Sequence, residues 1–132
     1  MGRVTYQGMA GHWPTSAEPY AAPMNQIPKI VFSHSLKETT WGETRIVTGD
    51  VTSEIAAMKQ EPGKNLLAHG GVRFAQALIA TGLVDEYWLI MHPVALGNGL
   101  RLFPELAAPV RFKLVSEAAF KTGVLAAILR PA

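Results

Sequence analysis

The residues best suited to chemistry lie between Leu66 and Phe103, LLAHGGVRFAQALIATGLVDEYWLIMHPVALGNGLRLF. Gly70 and Gly71 stand between a short apolar run and an amphipathic stretch that begins at Val72. A strand that passes through paired glycines into a helix presents backbone N–H groups and the positive end of a helix dipole to an anion such as phosphate. The amides of Gly71, Val72 and Arg73 would face it. A tight strand-to-helix turn that needs small residues is the plainer account, and a lone glycine pair on its own favours it. Gly97-Asn98-Gly99 reads as a turn on the same grounds.

Other reactive groups are sparse. The histidines are His12, His34, His69 and His92, and no two have the i, i+2 or i, i+4 spacing of a local chelate. His69, beside the glycines, could donate to a phosphate or a substrate oxygen, or be satisfied by nearby backbone. Asp85 and Glu86 cap a turn and pair with no second acid for general acid–base work. Ser33, Ser35, Ser53 and Ser116 match no nucleophile elbow. With no cysteine, disulfides, thiol nucleophiles, zinc-thiolate sites and iron–sulfur clusters are excluded.

The elements that must position these groups form one domain, residues 1–132. Hydrophobic residues at 48% and charged residues at 17% describe a folded chain rather than a disordered one. A formal net charge of +2, with scattered basic residues, argues against a nucleic-acid partner. No apolar run has the length of a membrane span, and the first residues lack the pattern of a signal peptide. A cytoplasmic location is expected, with no membrane partner.

A short helix is expected over Gly2–Ala10, with Tyr6 and Met9 on one face. Residues Trp13–Pro28 carry Pro14, Pro19, Pro23 and Pro28 and read as an ordered loop anchored by Trp13, Tyr20 and Met24. Strands are expected at Lys29–Ser33, Thr44–Thr48, Leu66–Ala68 and Glu86–Val94, the last too apolar for solvent on either face. Helices are expected at Thr52–Lys59, with Ile55 and Met58 facing the core, and at Val72–Thr81, closed by Gly82. Phe112–Ala119 and Val124–Leu129 form a final strand pair that reverses at Lys121–Gly123. The fold class is α/β: a mostly parallel sheet, flanking helices and an antiparallel C-terminal pair.

Three blocks of residues resemble the dihydrofolate reductase-like superfamily. They are most similar to its members that share the C-terminal reductase domain of bifunctional riboflavin-biosynthesis deaminase-reductases. The blocks are Met1-Gly2-Arg3-Val4-Thr5-Tyr6, Lys29-Ile30-Val31-Phe32-Ser33, and a long third one. That third block runs from His69-Gly70-Gly71 through Leu83-Val84-Asp85-Glu86 to Pro93-Val94-Ala95-Leu96-Gly97 and Leu102-Phe103. With this order in place, the phosphate reading of the glycine pair overtakes the turn reading.

The resemblance implies NADPH as cofactor. Gly2, Arg3 and Thr5 would face its phosphates from a helix start, where an arginine fork suits a 2′-phosphate. Ser33 and His34 would lie beside the adenosine 2′-phosphate, and Gly70, Gly71, Val72 and Arg73 would cradle the pyrophosphate. Trp13 and Ala68 fall where the family lines its substrate pocket. The implied activity is hydride transfer to a small heterocycle, pteridine-like or ribosylaminopyrimidine-like. No catalytic residue is assigned by position.

The chain starts at the family's M-G-R motif, so the family's first central strand, the loop after it and the first helix have no counterpart here. A sheet lacking a central strand exposes unpaired N–H and C=O groups at about 1–3 kcal/mol each when buried. It is expected to close the gap, pair with another chain or be unstable. Met1 as an internal start within a longer gene is the other account of the missing strand, and the expected partner is a second copy, as a homodimer. The alternative to an enzyme is a truncated non-catalytic remnant, or a strand-exchanged assembly module that keeps the fold without turnover.

Overall fold

A computed structural model describes all of residues 1–132. Helix α1 spans Arg3–His12 and follows Gly2, whose backbone is extended. A single 3-10 turn covers Trp13–Thr15. Helix α2 covers Ala21–Gln26, inside the stretch expected to be loop. Pro23 is its third residue, where the N–H has no intrahelical acceptor and its absence costs nothing. Strands β1 (Lys29–Phe32) and β2 (Thr44–Val47) pair in parallel. Helix α3 (Val51–Met58) begins at Asp50, whose carboxylate accepts the Ser53 N–H. Helix α4 covers Val72–Ala80, and Gly82 follows it at φ +69°.

Strands β3 (Tyr87–Met91), β4 (Phe112–Ala119) and β5 (Leu125–Pro131) form an antiparallel sheet in the order β3-β5-β4. The reversal between β4 and β5 is closed by Phe120 N to Val124 O and Gly123 N to Phe120 O. No ladder joins this sheet to the β1-β2 pair. The expected mostly parallel sheet is thus one parallel pair beside a larger antiparallel sheet.

Two further expectations fail for the same physical reason. Leu66–Ala68 forms no strand, and Leu67 is 76% exposed. An extended apolar run becomes a strand only where a neighbour supplies hydrogen bonds, and none pairs with it here. The 86–94 strand is confined to Tyr87–Met91, with Pro93 past its end, and its outer face is open rather than buried: Trp88 is 72% exposed and Ile90 67%. Tyr20, expected as an anchor, is also exposed, whereas Trp13 and Met24 do pack on the core.

The main core is centred on Tyr6, Val31 and Trp41, with Met9, Ala10, Trp13 and Met24 packed around them. Tyr6 lies on the inner face of α1, and its phenol oxygen accepts the Thr40 and Trp41 N–H groups at 3.0 and 3.1 Å. Burial would push that phenol up, but these amides outweigh it and bring it below its usual value. Lys29 is buried on the same side. Its ammonium donates to Asn25 O at 2.7 Å and sits 4.3 Å from the centre of a Trp41 ring. Desolvation lowers its pKa. A second apolar cluster joins the end of α4 to the antiparallel sheet through Ile79, Tyr87, Phe103 and Phe112, around a cavity of about 170 Å³.

Met1 lies along the free side of β1. Its ammonium donates to Ile30 O at 2.8 Å, Phe32 N donates to Met1 O at 2.9 Å, and Gly2 bridges Phe32 in parallel.

Candidate functional site

The starts of α1 and α4 lie side by side. Phe32, at the end of β1, stacks on Phe74 in the first turn of α4 with ring centroids 5.1 Å apart. A β-carbon on Gly2 would lie 3.6 Å from Phe74 Cβ. On the other side, Thr5 fills the space against the glycine pair. A β-carbon on Gly70 would meet Thr5 Cγ2 at 3.2 Å, and one on Gly71 would meet Thr5 Oγ1 at 2.6 Å. Both glycines have positive φ, +68° and +78°, which side chains rarely adopt. These positions need glycine for close approach and for backbone conformation at once.

The helix ends differ in what satisfies their amides. At α3, Asp50 occupies the Ser53 N–H and Glu54 adds an acid in the first turn. Neither α1 nor α4 has a side-chain cap or an acid in its first turn. Their first N–H groups therefore remain available to an external acceptor, and nothing negative competes for them. The basic groups nearby are equally uncommitted to acids. Arg3 donates to Gln7 Oε1 at 3.0 Å, and the three ion pairs of the chain, His12–Glu18, Lys59–Asp85 and Arg130–Glu86, involve neither Arg3 nor Arg73.

The residues singled out from sequence distribute as follows. Gly2, Arg3, Thr5, Gly70, Gly71, Val72 and Arg73 come together at the two helix starts. Ser33 and His34 follow Phe32 at the carboxyl end of β1, where crevices of open α/β sheets form. The Ser33 hydroxyl accepts the Ser35 and Leu36 N–H groups at 3.2 and 3.0 Å and shapes the turn, and His34 is exposed. Trp13 packs on the core, edge-on to His12 at 4.8 Å, and its carbonyl accepts from Asn25. Ala68 lies exposed in the extended segment before the glycines.

Sequence reasoning missed the Phe32–Phe74 stack and the burial of Lys29. The alternation of Lys29 with Val31 in a strand whose Val31 is fully buried was the available signal for the lysine. It also missed Gln76, which donates to Arg101 O at 2.6 Å and ties the Gly97–Arg101 loop to α4. Asp85 and Glu86 are engaged by Lys59 and Arg130, as turn and sheet contacts.

The arrangement is that of an α/β domain in which two uncapped helix starts meet beside the carboxyl end of a parallel strand. Residues 1–126 match the RibD C-terminal domain, and the chain belongs to that family. It is 33% identical over 97 residues to the uncharacterized protein YyaP of Bacillus subtilis, covering 74% of this chain and 51% of that protein. It is 34% identical over 59 residues to YwjB of the same organism, covering 45% of this chain and 34% of that protein. The chain thus spans about half or less of the curated relatives it matches. In fold it is similar to a Shewanella sp. PV-4 protein provisionally assigned to riboflavin biosynthesis, with a TM-score of 0.78 and 24% identity over 100% of this chain and 72% of the other. It is also similar to a pyrimidine reductase-like protein of Corynebacterium diphtheriae, with a TM-score of 0.57 and 15% identity over 80% of this chain and 50% of the other.

Proposed function

We propose that this chain binds NADPH across the starts of α1 and α4 and forms the cofactor-holding part of a reductase for a small pteridine-like or ribosylaminopyrimidine-like heterocycle. The observation that carries the reading is the contact of Thr5 with Gly70 and Gly71, which brings two uncapped helix starts to one corner. The amides of Gly71, Val72 and Arg73 hold the pyrophosphate, as a helix start without a competing carboxylate is suited to do. Gly2 allows the backbone of α1 to approach, and Arg3 adds a cation that no acid neutralises. Ser33 and His34 border the adenosine 2′-phosphate, and Trp13 and Ala68 border the substrate side.

The bound cofactor supplies a hydride. The residues of this chain bind and orient, and none is assigned to proton transfer. Membership in the RibD C-terminal domain family and the pyrimidine reductase-like neighbour support the reaction class. Titration with NADPH, followed by cofactor fluorescence, tests the reading: saturable binding is expected, and none at millimolar cofactor would end it. Arg3→Ala should weaken NADPH about tenfold or more while leaving NADH nearly unchanged, because the lost charge-assisted bonds go to the phosphate that only NADPH carries. Equal losses for both dinucleotides would remove Arg3 from the 2′-phosphate.

A further inference from the structure

The chain has three asparagines, and their settings differ. Asn25 lies in α2 and is held at both ends of its amide. Its Nδ2 donates to Trp13 O at 2.9 Å, and its Oδ1 accepts from Trp41 Nε1 at 2.6 Å. Asn65 precedes Leu66, whose side chain crowds the nitrogen between them. Asn98 stands between Gly97 and Gly99 in the loop after β3. The backbone bends there without closing a hydrogen-bonded turn, and neither the Asn98 nor the Gly99 N–H has a backbone acceptor. The Asn98 side chain is exposed and, unlike that of Asn25, has no partner.

This setting suits an intramolecular reaction. The side-chain carbon of an asparagine is one ring closure away from the nitrogen of the next residue. Two things normally prevent that closure: a β-carbon on the next residue, and a hydrogen bond that holds its N–H. Both are missing at Gly99. A β-carbon built there would meet nothing within 4 Å, so the surrounding space is open as well.

We propose that Asn98–Gly99 is a self-modifying site, at which the asparagine closes onto the following nitrogen and is converted to isoaspartate and aspartate in the folded chain. The Gly99 N–H gives its proton to hydroxide, and the nitrogen attacks Asn98 Cγ. An N–Cγ bond forms, the Cγ–Nδ2 bond breaks, and the amide leaves as ammonia with a proton from water. Water then opens the cyclic imide at either carbonyl. Opening at Cγ restores the ordinary chain with aspartate. Opening at the main-chain carbonyl routes the chain through Cγ as isoaspartate. Water enters, ammonia leaves, and nothing is oxidised or reduced.

The product adds a negative charge, and in the isoaspartate form a main-chain carbon, to a segment fastened to α4. Three residues on, Arg101 O is held by Gln76 Nε2 at 2.6 Å, and Gln76 lies one turn after Val72 and Arg73. The modification therefore acts against an anion at the start of α4, a consequence that rests on the NADPH reading above. The chemistry at Asn98 does not rest on it.

Peptide mass spectrometry of the folded chain, held in warm, mildly alkaline buffer, tests the site. The Asn98 peptide should gain the mass difference of hydroxyl for amide, and its isoaspartate should be methylated by protein isoaspartyl methyltransferase. The Asn25 and Asn65 peptides should stay unaltered. The rate should rise with pH, because the deprotonated nitrogen attacks. Gly99→Ala should slow the reaction about tenfold or more, since its β-carbon crowds the attacking nitrogen and strains a φ of +150°. Asn98→Gln, which would need a larger ring, should abolish it. Aged chain should bind NADPH about threefold or more weakly than fresh chain, the scale of one like charge near a phosphate, while aged Asn98→Gln should match fresh chain. A folded chain that keeps Asn98 intact while urea-unfolded chain loses it, or equal conversion at Asn25 and Asn65, would overturn the proposal. Equal NADPH affinity before and after conversion would overturn its link to α4. Fresh chain that binds no NADPH would end the cofactor reading alone, with the mass result standing.

Discussion

Replacing Gly71 with alanine should weaken NADPH binding by about 100-fold or more, the largest single effect expected at the site. Two costs act together. Gly71 sits at φ +78°, where a side chain costs about 1–2 kcal/mol. Its new β-carbon would lie 2.6 Å from Thr5 Oγ1, so either Thr5 or the glycine turn must move. The groups that move are the amides at the start of α4 proposed to hold the pyrophosphate. A shift of the turn therefore costs more in binding than in folding. Thermal melting should register only the backbone strain, while fluorescence titration registers the larger loss. Adding Thr5→Ala relieves the contact but leaves the strained φ, and should recover part of the affinity. Unchanged affinity in Gly71→Ala would place the dinucleotide elsewhere.

The largest effect on stability is expected at Tyr6. Tyr6→Phe keeps the ring and its 6.1 Å centroid distance to Trp41, but removes the oxygen that accepts the Thr40 and Trp41 amides. Trp41 is 2% exposed, so solvent cannot readily replace that oxygen. The buried Trp41 N–H left without an acceptor costs about 1–3 kcal/mol and the Thr40 N–H, in an exposed residue, adds less, so the change should lower unfolding free energy by roughly 2–3 kcal/mol. For a chain of this length that corresponds to a fall in Tm on the order of 10 °C. Urea unfolding is the direct measurement. A loss below about 1 kcal/mol would mean that the amides find other partners. The effect reaches the site indirectly, because α1 carries Tyr6 on its inner face and Thr5 beside it, against Gly71.

Most local elements were legible in the residues. The helix after Gly2, the one closed by Gly82 and the final strand pair turning at Lys121–Gly123 depend on spacing, caps and turn chemistry within a few residues. The family was legible as well, because the order of its blocks spans the chain. Helix α2 is not legible from proline density, because Pro23 falls in its first turn, where a missing N–H breaks no helical bond.

Trp88 and Ile90 were misjudged for a different reason. An apolar residue states a preference for burial, and whether anything covers it depends on residues distant in the chain. Leu66–Ala68 failed as a strand on the same account, since its extended form is stabilised only by a neighbour's hydrogen bonds.

By itself the amino-acid order determined the glycine pair, the helix that follows it, the absence of acids at both helix starts and the family. Only the tertiary structure decided that Thr5 abuts Gly71, that Phe32 stacks on Phe74 and that the two sheets stay separate. Local conformation follows from short-range sterics and hydrogen bonding. Which corner two helix starts share follows from packing between residues some 70 positions apart, and no short window of sequence contains it.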